Sequence, residues 1–166
     1  YADSAKTTDI CNTIFWIYGG AFLAGDAPGN AAIADWVGHE TNMNVFIPTI
    51  RLAPEADMDA ILYDVCLAYR WLCQRLQKQS QEQQQQGPIA AGQKRRQRRP
   101  RIQLLGISSG GALCTRLMQL IAEYERDEDI VPAILKPLLA SNDMKMPSGA
   151  VLLGPFVDYT PAKGSL

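Results

Sequence analysis

Residues 14 to 18, Ile-Phe-Trp-Ile-Tyr, form an unbroken apolar, β-prone run that stops at Gly19-Gly20. A short run of this kind between turn residues predicts a strand buried on both faces, as in a parallel sheet. Asp26-Ala-Pro-Gly-Asn30 reads as a loop. Ile33, Trp36 and Val37 then recur at helical spacing and predict a helix over 31–42, punctuated by Asn42 and Asn44. Val45 to Ile50 is a second buried strand, followed by the loop Arg51-Leu-Ala-Pro-Glu55. Over 58–76, Met58, Ile61, Leu62, Val65, Tyr69, Leu72 and Leu76 fall on one helical face, the clearest period in the chain. Asp57 and Asp59 place negative charge at that helix's positive end. A third strand is predicted at 102–105. The next helix carries Leu113, Leu117, Leu120, Ile121 and Tyr124 on one face. A fourth strand follows at 150–153 and ends at Gly154-Pro155.

Strands alternating with helices define an α/β fold, and right-handed crossovers put helices on both faces of a parallel sheet. At 166 residues the whole chain, 1–166, reads as a single domain or part of one. One segment breaks the pattern. Residues 77 to 86 hold seven glutamines, and Gln93 to Arg101 hold six basic residues. The stretch 77–101 therefore reads as a low-complexity, disordered surface insertion. It also masks the charge of the rest. The formal net charge is −1, yet 77–101 carries seven Lys+Arg and one Glu, which leaves nine basic against 16 acidic residues elsewhere, a net of −7. An acidic body argues against a nucleic-acid enzyme. The arginine-rich run itself has an RNA-binding reading, since such segments fold on RNA, beside the plainer one of a solvated charged loop. No apolar stretch approaches the roughly 20 residues that span a bilayer.

The four cysteines, Cys11, Cys66, Cys73 and Cys114, make no Cys-x-x-Cys pair, and the single histidine, His39, does not complete a zinc set. No metal and no cofactor are expected. Cys66 and Cys73, two helical turns apart, read as small buried apolar residues. Free thiols favour a reducing, cytoplasmic compartment. The chain begins at Tyr1 and shows no basic segment leading into an apolar one, hence no signal peptide within it.

The chemistry-bearing pattern is Gly106-Ile-Ser-Ser-Gly110, a G-x-S-x-G between a predicted strand and a predicted helix. That context suits a nucleophile elbow, in which a sharp turn lifts the Ser108 hydroxyl clear of the sheet and the Ser109 N–H faces an oxyanion. The alternative reading is a glycine-rich turn that lets the helix pack closely. Tyr18-Gly-Gly-Ala-Phe22, ending the first strand, either supplies further oxyanion-hole N–H groups or is an ordinary strand-ending turn.

Taken together, these segments resemble the hormone-sensitive-lipase family of α/β-hydrolases. Tyr18-Gly-Gly-Ala-Phe-Leu-Ala-Gly25 resembles its H-G-G-G-F loop, and Arg51-Leu-Ala-Pro-Glu55 matches its R-L-A-P-E segment. Ala68-Tyr-Arg-Trp71 resembles the helix that follows. Gly106-Ile-Ser-Ser-Gly-Gly111 resembles its G-D-S-A-G-G elbow, and Leu153-Gly-Pro-Phe-Val-Asp158 its S-P-W-x-D ending. The matches run in the family's order over most of residues 12–160. The resemblance implies a partial α/β-hydrolase fold covering strands 3 to 6 of the family. It implies hydrolysis of a small-molecule carboxylic ester through an acyl-serine, with Ser108 as nucleophile and the N–H groups of Gly19, Gly20 and Ser109 as oxyanion hole. Arg51 and Glu55 would be a structural pair supporting their loop.

Departures are visible. Tyr18 stands in place of the family's His, Ala21 in place of the third glycine, and Ile107 in place of the elbow Asp. The family's triad acid and histidine follow its nucleophile. Here His39 precedes Ser108 and reads as a surface, non-catalytic residue, and Asp158 falls earlier than the family's acid. The chain is therefore read as an internal fragment or truncated gene product, with the acid and histidine expected beyond Leu166 and the chain alone nearly inert. A non-catalytic, hydrolase-like binding protein is the competing reading.

Overall fold

A computed structural model describes residues 12–85, 100–140 and 143–156. In chain order the elements are β1 (Asn12–Ile17), α1 (Ala27–Thr41), β2 (Asn44–Phe46), α2 (Met58–Gln85), β3 (Arg101–Ile107), α3 (Ser109–Arg126), a 3₁₀ turn (Glu128–Ile130), α4 (Lys136–Leu139) and β4 (Gly149–Leu153). The strands form one sheet in the order β2-β1-β3-β4, and every pairing is parallel. The predicted four-stranded parallel sheet is present. β1 pairs with β3 from Asn12↔Arg101 to Ile17↔Gly106. β4 lies against the other side of β3, from Gln103↔Gly149 to Ile107↔Leu153.

Alternate residues of β1, β2 and β3 face two different cores. Phe15, Ile17 and Leu104 pack with Ile61, Val65, Tyr69 and Leu72 of α2 and with Leu113, Leu117 and Leu120 of α3. Phe15 meets the Tyr69 ring edge-on, with centroids 5.3 Å apart, and the Tyr69 hydroxyl donates to the Lys145 carbonyl at 2.7 Å. The opposite face is smaller: Ile14, Trp16 and Ala34 of α1, with Val37, Val45, Leu105 and Ile107 at its margin. The buried Trp16 indole N–H has no partner among the described residues.

Several predicted boundaries and faces need correction. α1 begins at Ala27 because the Asp26 carboxylate caps it, accepting from the Gly29 N–H at 2.6 Å, and because Pro28 suits a first turn. Residues 27–30 are thus helix rather than loop. Its end is as predicted, with Asn42 in the left-handed region at φ 53°. Of the three residues that set its helical spacing, Ile33 and Trp36 are 55% and 63% exposed, while Val37 is partly buried beside Ala34. β2 stops at Phe46, short of the predicted Ile50. It is an edge strand, and Pro48 has no N–H to extend the ladder. α2 runs nine residues past the predicted end, through Gln85. Glutamine is a good helix former, so the first part of the glutamine-rich segment continues the helix instead of leaving it disordered. Residues 86–99, with most of the basic run, lie outside the described residues, as does Cys11.

Candidate active site

The connections set the location. From β1 the chain crosses to β2 on one side; from β2 it returns past β1 to β3, and β4 follows on the far side. Strand order therefore reverses between β1 and β3, and in open parallel sheets ligands bind in the crevice at the carboxyl ends of the strands where that happens. The residues leaving those two strands are Tyr18-Gly19-Gly20 and Ser108.

Ser108 caps α3 with φ 52° and ψ −121°, a conformation that side-chain-bearing residues rarely adopt. Its N–H donates to the Leu153 carbonyl at 2.8 Å, and its carbonyl accepts from Gly111 at 2.9 Å and Phe156 at 3.4 Å. The turn is thereby tied both to the first turn of α3 and to the end of β4. The helix can follow at once only because Gly110 has no side chain: a Cβ there would collide with the carbonyl oxygens of Ile17 and Tyr18. The glycines thus serve close packing, as the plainer reading of the motif has it, and they flank the sharp turn at Ser108.

Gly19 lies directly against the turn, since a Cβ built on it would stand 3.0 Å from the Ile107 carbonyl and 3.1 Å from the Ser108 Cβ. Gly20 has φ +138°, and its carbonyl accepts from Leu23 and Ala24 at 2.9 and 3.0 Å. Ala21 and Phe22 follow at φ 55° and 64°, a left-handed pair in which Ala21 stands where the family has its third glycine. Ser109 is buried at the first position of α3. Among the described residues no acceptor takes the N–H of Gly19, Gly20 or Ser109. The helix N-terminus adds positive potential at Ser109.

Ser108, Ser109, Gly19 and Gly20 are thus brought to one point, and other candidates are not. His39 lies in the last turn of α1, at the end of the sheet where strands begin, and its ring faces solvent with Nδ1 3.3 Å from Glu40 Oε1. Asp158 lies outside the described residues. Arg51 does not pair with Glu55. Its Nε and Nη2 donate to Asp64 Oδ2 and Oδ1, both at 2.8 Å, and its backbone N–H donates to Oδ2 at 2.9 Å. Partial burial pushes the Asp64 carboxyl up, but the bonds and charge of Arg51 outweigh it and hold the acid below its ordinary value.

Tyr18 is also structural. Its ring covers Gly25, where a Cβ would come within 2.7 Å. Burial raises the phenol above its ordinary value, only partly offset by a hydrogen bond with the Ile50 backbone. The Ala53 N–H donates to the Phe22 carbonyl at 2.8 Å and joins the two loops. Sequence reasoning missed this tie, because backbone-to-backbone bonds between loops leave no residue signature. Cys66, Cys73 and Cys114 are free and buried, and desolvation pushes Cys66 and Cys114 to about 12. Thiols so placed are inert packing groups. Among the described residues no group of three His, Cys, Asp or Glu is placed to hold a metal, and no helix is long and apolar enough to cross a membrane.

This chain belongs to a family with the alpha/beta hydrolase fold, whose sequence model matches residues 14–165. Among solved structures it is similar to a hormone-sensitive lipase from a metagenome library, at 23% identity and a TM-score of 0.55, over 89% of this chain and 38% of that one. It is likewise similar to a bacterial heroin esterase, at 21% identity and a TM-score of 0.59, over 93% of this chain and 38% of the other. A third is carboxyl esterase 2 from the mycorrhizal fungus Tuber melanosporum, at 17% identity and 0.59, over 90% and 38%. At these identities the likeness is one of fold, and the chain spans 38% of the length of these structures. No curated protein matches the sequence.

Proposed function

We propose that this chain carries the nucleophile and oxyanion hole of a carboxylic-ester hydrolase. Ser108 Oγ adds to the ester carbonyl, its proton passes to a histidine held by an acid, and the alcohol leaves with a proton from that histidine. Water then releases the acid from Ser108. The N–H groups of Gly19, Gly20 and Ser109 receive the negative oxygen of each tetrahedral intermediate, an interaction worth about 10²–10³ in rate per donor in serine hydrolases. The observation that carries this reading is Ser108 itself: a serine at φ 52°, at the point of strand-order reversal, with Gly19 packed so near that a Cβ on it would stand 3.1 Å from the Ser108 Cβ. The esterase neighbours support it.

The 166 residues hold one histidine, His39, and it lies away from Ser108 with its ring in solvent, so no base stands beside the serine here. Without one a serine hydroxyl is a weak nucleophile, so the 166-residue chain is expected to turn over an activated aryl ester very poorly. A chain extended to include the acid and histidine is expected to be active and to be labelled by a fluorophosphonate at Ser108. Activity of the extended chain that survives Ser108→Ala would refute the assignment; full activity in the 166-residue chain, lost in Ser108→Ala, would refute the need for an added acid and histidine. A second reading, a hydrolase-like binding protein without catalysis, draws on Tyr18 standing where the family has His. Absence of labelling in the extended chain would favour it.

A further inference from the structure

We infer that Asp64 is a positioning residue for the loop that carries Gly19 and Gly20, acting through Arg51 and the segment 50–53; the inference rests on the esterase reading above. The loop is strained. Gly20 stands at φ +138°, and Ala21 and Phe22 at φ 55° and 64°. Two successive side-chain-bearing residues in the left-handed region cost free energy, and such backbone persists only where its surroundings over-determine it. Within the loop, the Leu23 and Ala24 N–H groups donate to the Gly20 carbonyl, and Gly25 returns against the Tyr18 ring and the Gly19 carbonyl. These contacts are internal. They set the loop's curl and leave its tilt on β1 free.

The tilt is set from one neighbouring segment. At the start of the loop the Tyr18 hydroxyl is hydrogen-bonded with the Ile50 backbone. Past the glycines the Ala53 N–H donates to the Phe22 carbonyl at 2.8 Å. Gly19 and Gly20 lie between the two ties. Residues 50–53 belong to no strand or helix, so the segment needs an anchor of its own, and Arg51 provides it. The Asp64 carboxylate accepts from the Arg51 backbone N–H at 2.9 Å and from its Nε and Nη2 at 2.8 Å each. Arg51 Nη2 also donates to the Ala60 carbonyl at 3.2 Å. Asp64 thus holds the main chain and the side chain of one residue at once. It does so from a helix whose Ile61, Val65 and Tyr69 are fully buried. The rigid core of α2 is thereby linked to the two glycines through Asp64 and Arg51, then Ile50 and Ala53, then Tyr18 and Phe22.

Amide hydrogen exchange in the ¹⁵N-labelled 166-residue chain tests this without catalysis. Asp64→Ala is expected to speed exchange at Leu23, Ala24 and Ala53 by roughly tenfold or more, the worth of a hydrogen bond to a charged group, and to shift the Gly19 and Gly20 resonances. Amides of the β1–β3 ladder report global unfolding. A merely structural Asp64 would change the ladder amides and leave the loop amides as they are. Tyr18→Phe removes one tie and keeps both the ring and the Arg51–Asp64 pair, so it serves even if Asp64→Ala fails to fold. It is expected to speed exchange at Leu23 and Ala24 and to spare the ladder. In the chain extended to include an acid and histidine, both variants are expected to lower kcat on a short aryl ester by roughly tenfold or more with KM unchanged, because misplaced donors are missed only in the transition state. Loop amides indifferent to both variants, acceleration shared equally by loop and ladder, or an unchanged kcat would each overturn the assignment. Fluorophosphonate labelling of the extended chain is scored separately. Responsive loop amides without labelling sink the esterase reading alone, and labelling with unresponsive loop amides sinks the positioning alone.

Discussion

The two faces of the sheet are built from the same strands and differ in every other respect. On the side of α2 and α3, Phe15, Ile17 and Leu104 are 0%, 0% and 1% exposed. On the side of α1, Trp16 is sealed, but Val151 and Leu153 of β4 are each 52% exposed, and a cleft of about 830 Å³ opens between α1 and β2. The elbow is anchored to the closed face, since α3 is the helix that Ser108 starts and Gly110 seats on the β1 carbonyls. The geometry of the candidate site therefore depends on one face, while the other contributes little to holding it.

Replacing matched residues on the two faces tests that division. Phe15→Ala is expected to cost about 3–5 kcal/mol, as for other buried aromatics, whereas Val151→Ala on the open face stays within about 0.5 kcal/mol. Urea unfolding of both variants checks the contrast, and equal losses would erase it. Next in size is Gly110→Ala, expected to cost about 1–3 kcal/mol by forcing α3 off β1. Gly149→Ala on β4 meets nothing within 4 Å and is expected to be neutral. The same melts report both.

Charge pairs sharpen the comparison at a smaller scale. The closed side has the Arg51–Asp64 clamp; on α1, among the described residues, the charge pair is the solvent-facing His39–Glu40 contact. The folded-state pKa of Asp64 lies below its unfolded value. Its contribution to stability is therefore complete above the ordinary carboxylate range, near 3.9, and is lost as pH falls through the depressed folded value. Unfolding midpoints measured from neutral to acid pH are expected to fall less steeply in Asp64→Asn than in the parent chain. The smallest effect is optical. Trp36 and Trp71 are 63% and 48% exposed and Trp16 is fully buried, so acrylamide is expected to quench part of the emission and to spare a blue-shifted remainder. Trp36→Phe and Trp71→Phe should leave only that protected component.

The sheet was legible because buried parallel strands are short apolar runs, and 14–18 is such a run. The elbow was legible because each glycine around Ser108 answers to a neighbour that leaves no room. What stayed hidden shares one physical origin. Periodicity reports that one side of a helix is apolar, not whether anything covers it, so the spacing of Ile33 and Trp36 located α1 without revealing that both face outward. Proximity in sequence suggested Glu55 for Arg51, but the second turn of α2 brings Asp64 back to it. Glutamine bias suggested disorder where helix propensity carried α2 to Gln85. The pairing of Gly19 with Ser108 needed the reversal of strand order, which depends on how β2 and β3 settle around β1.

The backbone at Ser108 has a consequence for which amino acid belongs there. Conformations of this sort cost on the order of 1–3 kcal/mol for a residue with a side chain, and glycine would occupy φ 52° with little of that penalty. A chain selected for robustness alone would carry glycine at 108. Ser108→Gly is accordingly expected to raise the melting temperature while removing the hydroxyl, so thermal tolerance and the proposed nucleophilic role favour different residues at this one site.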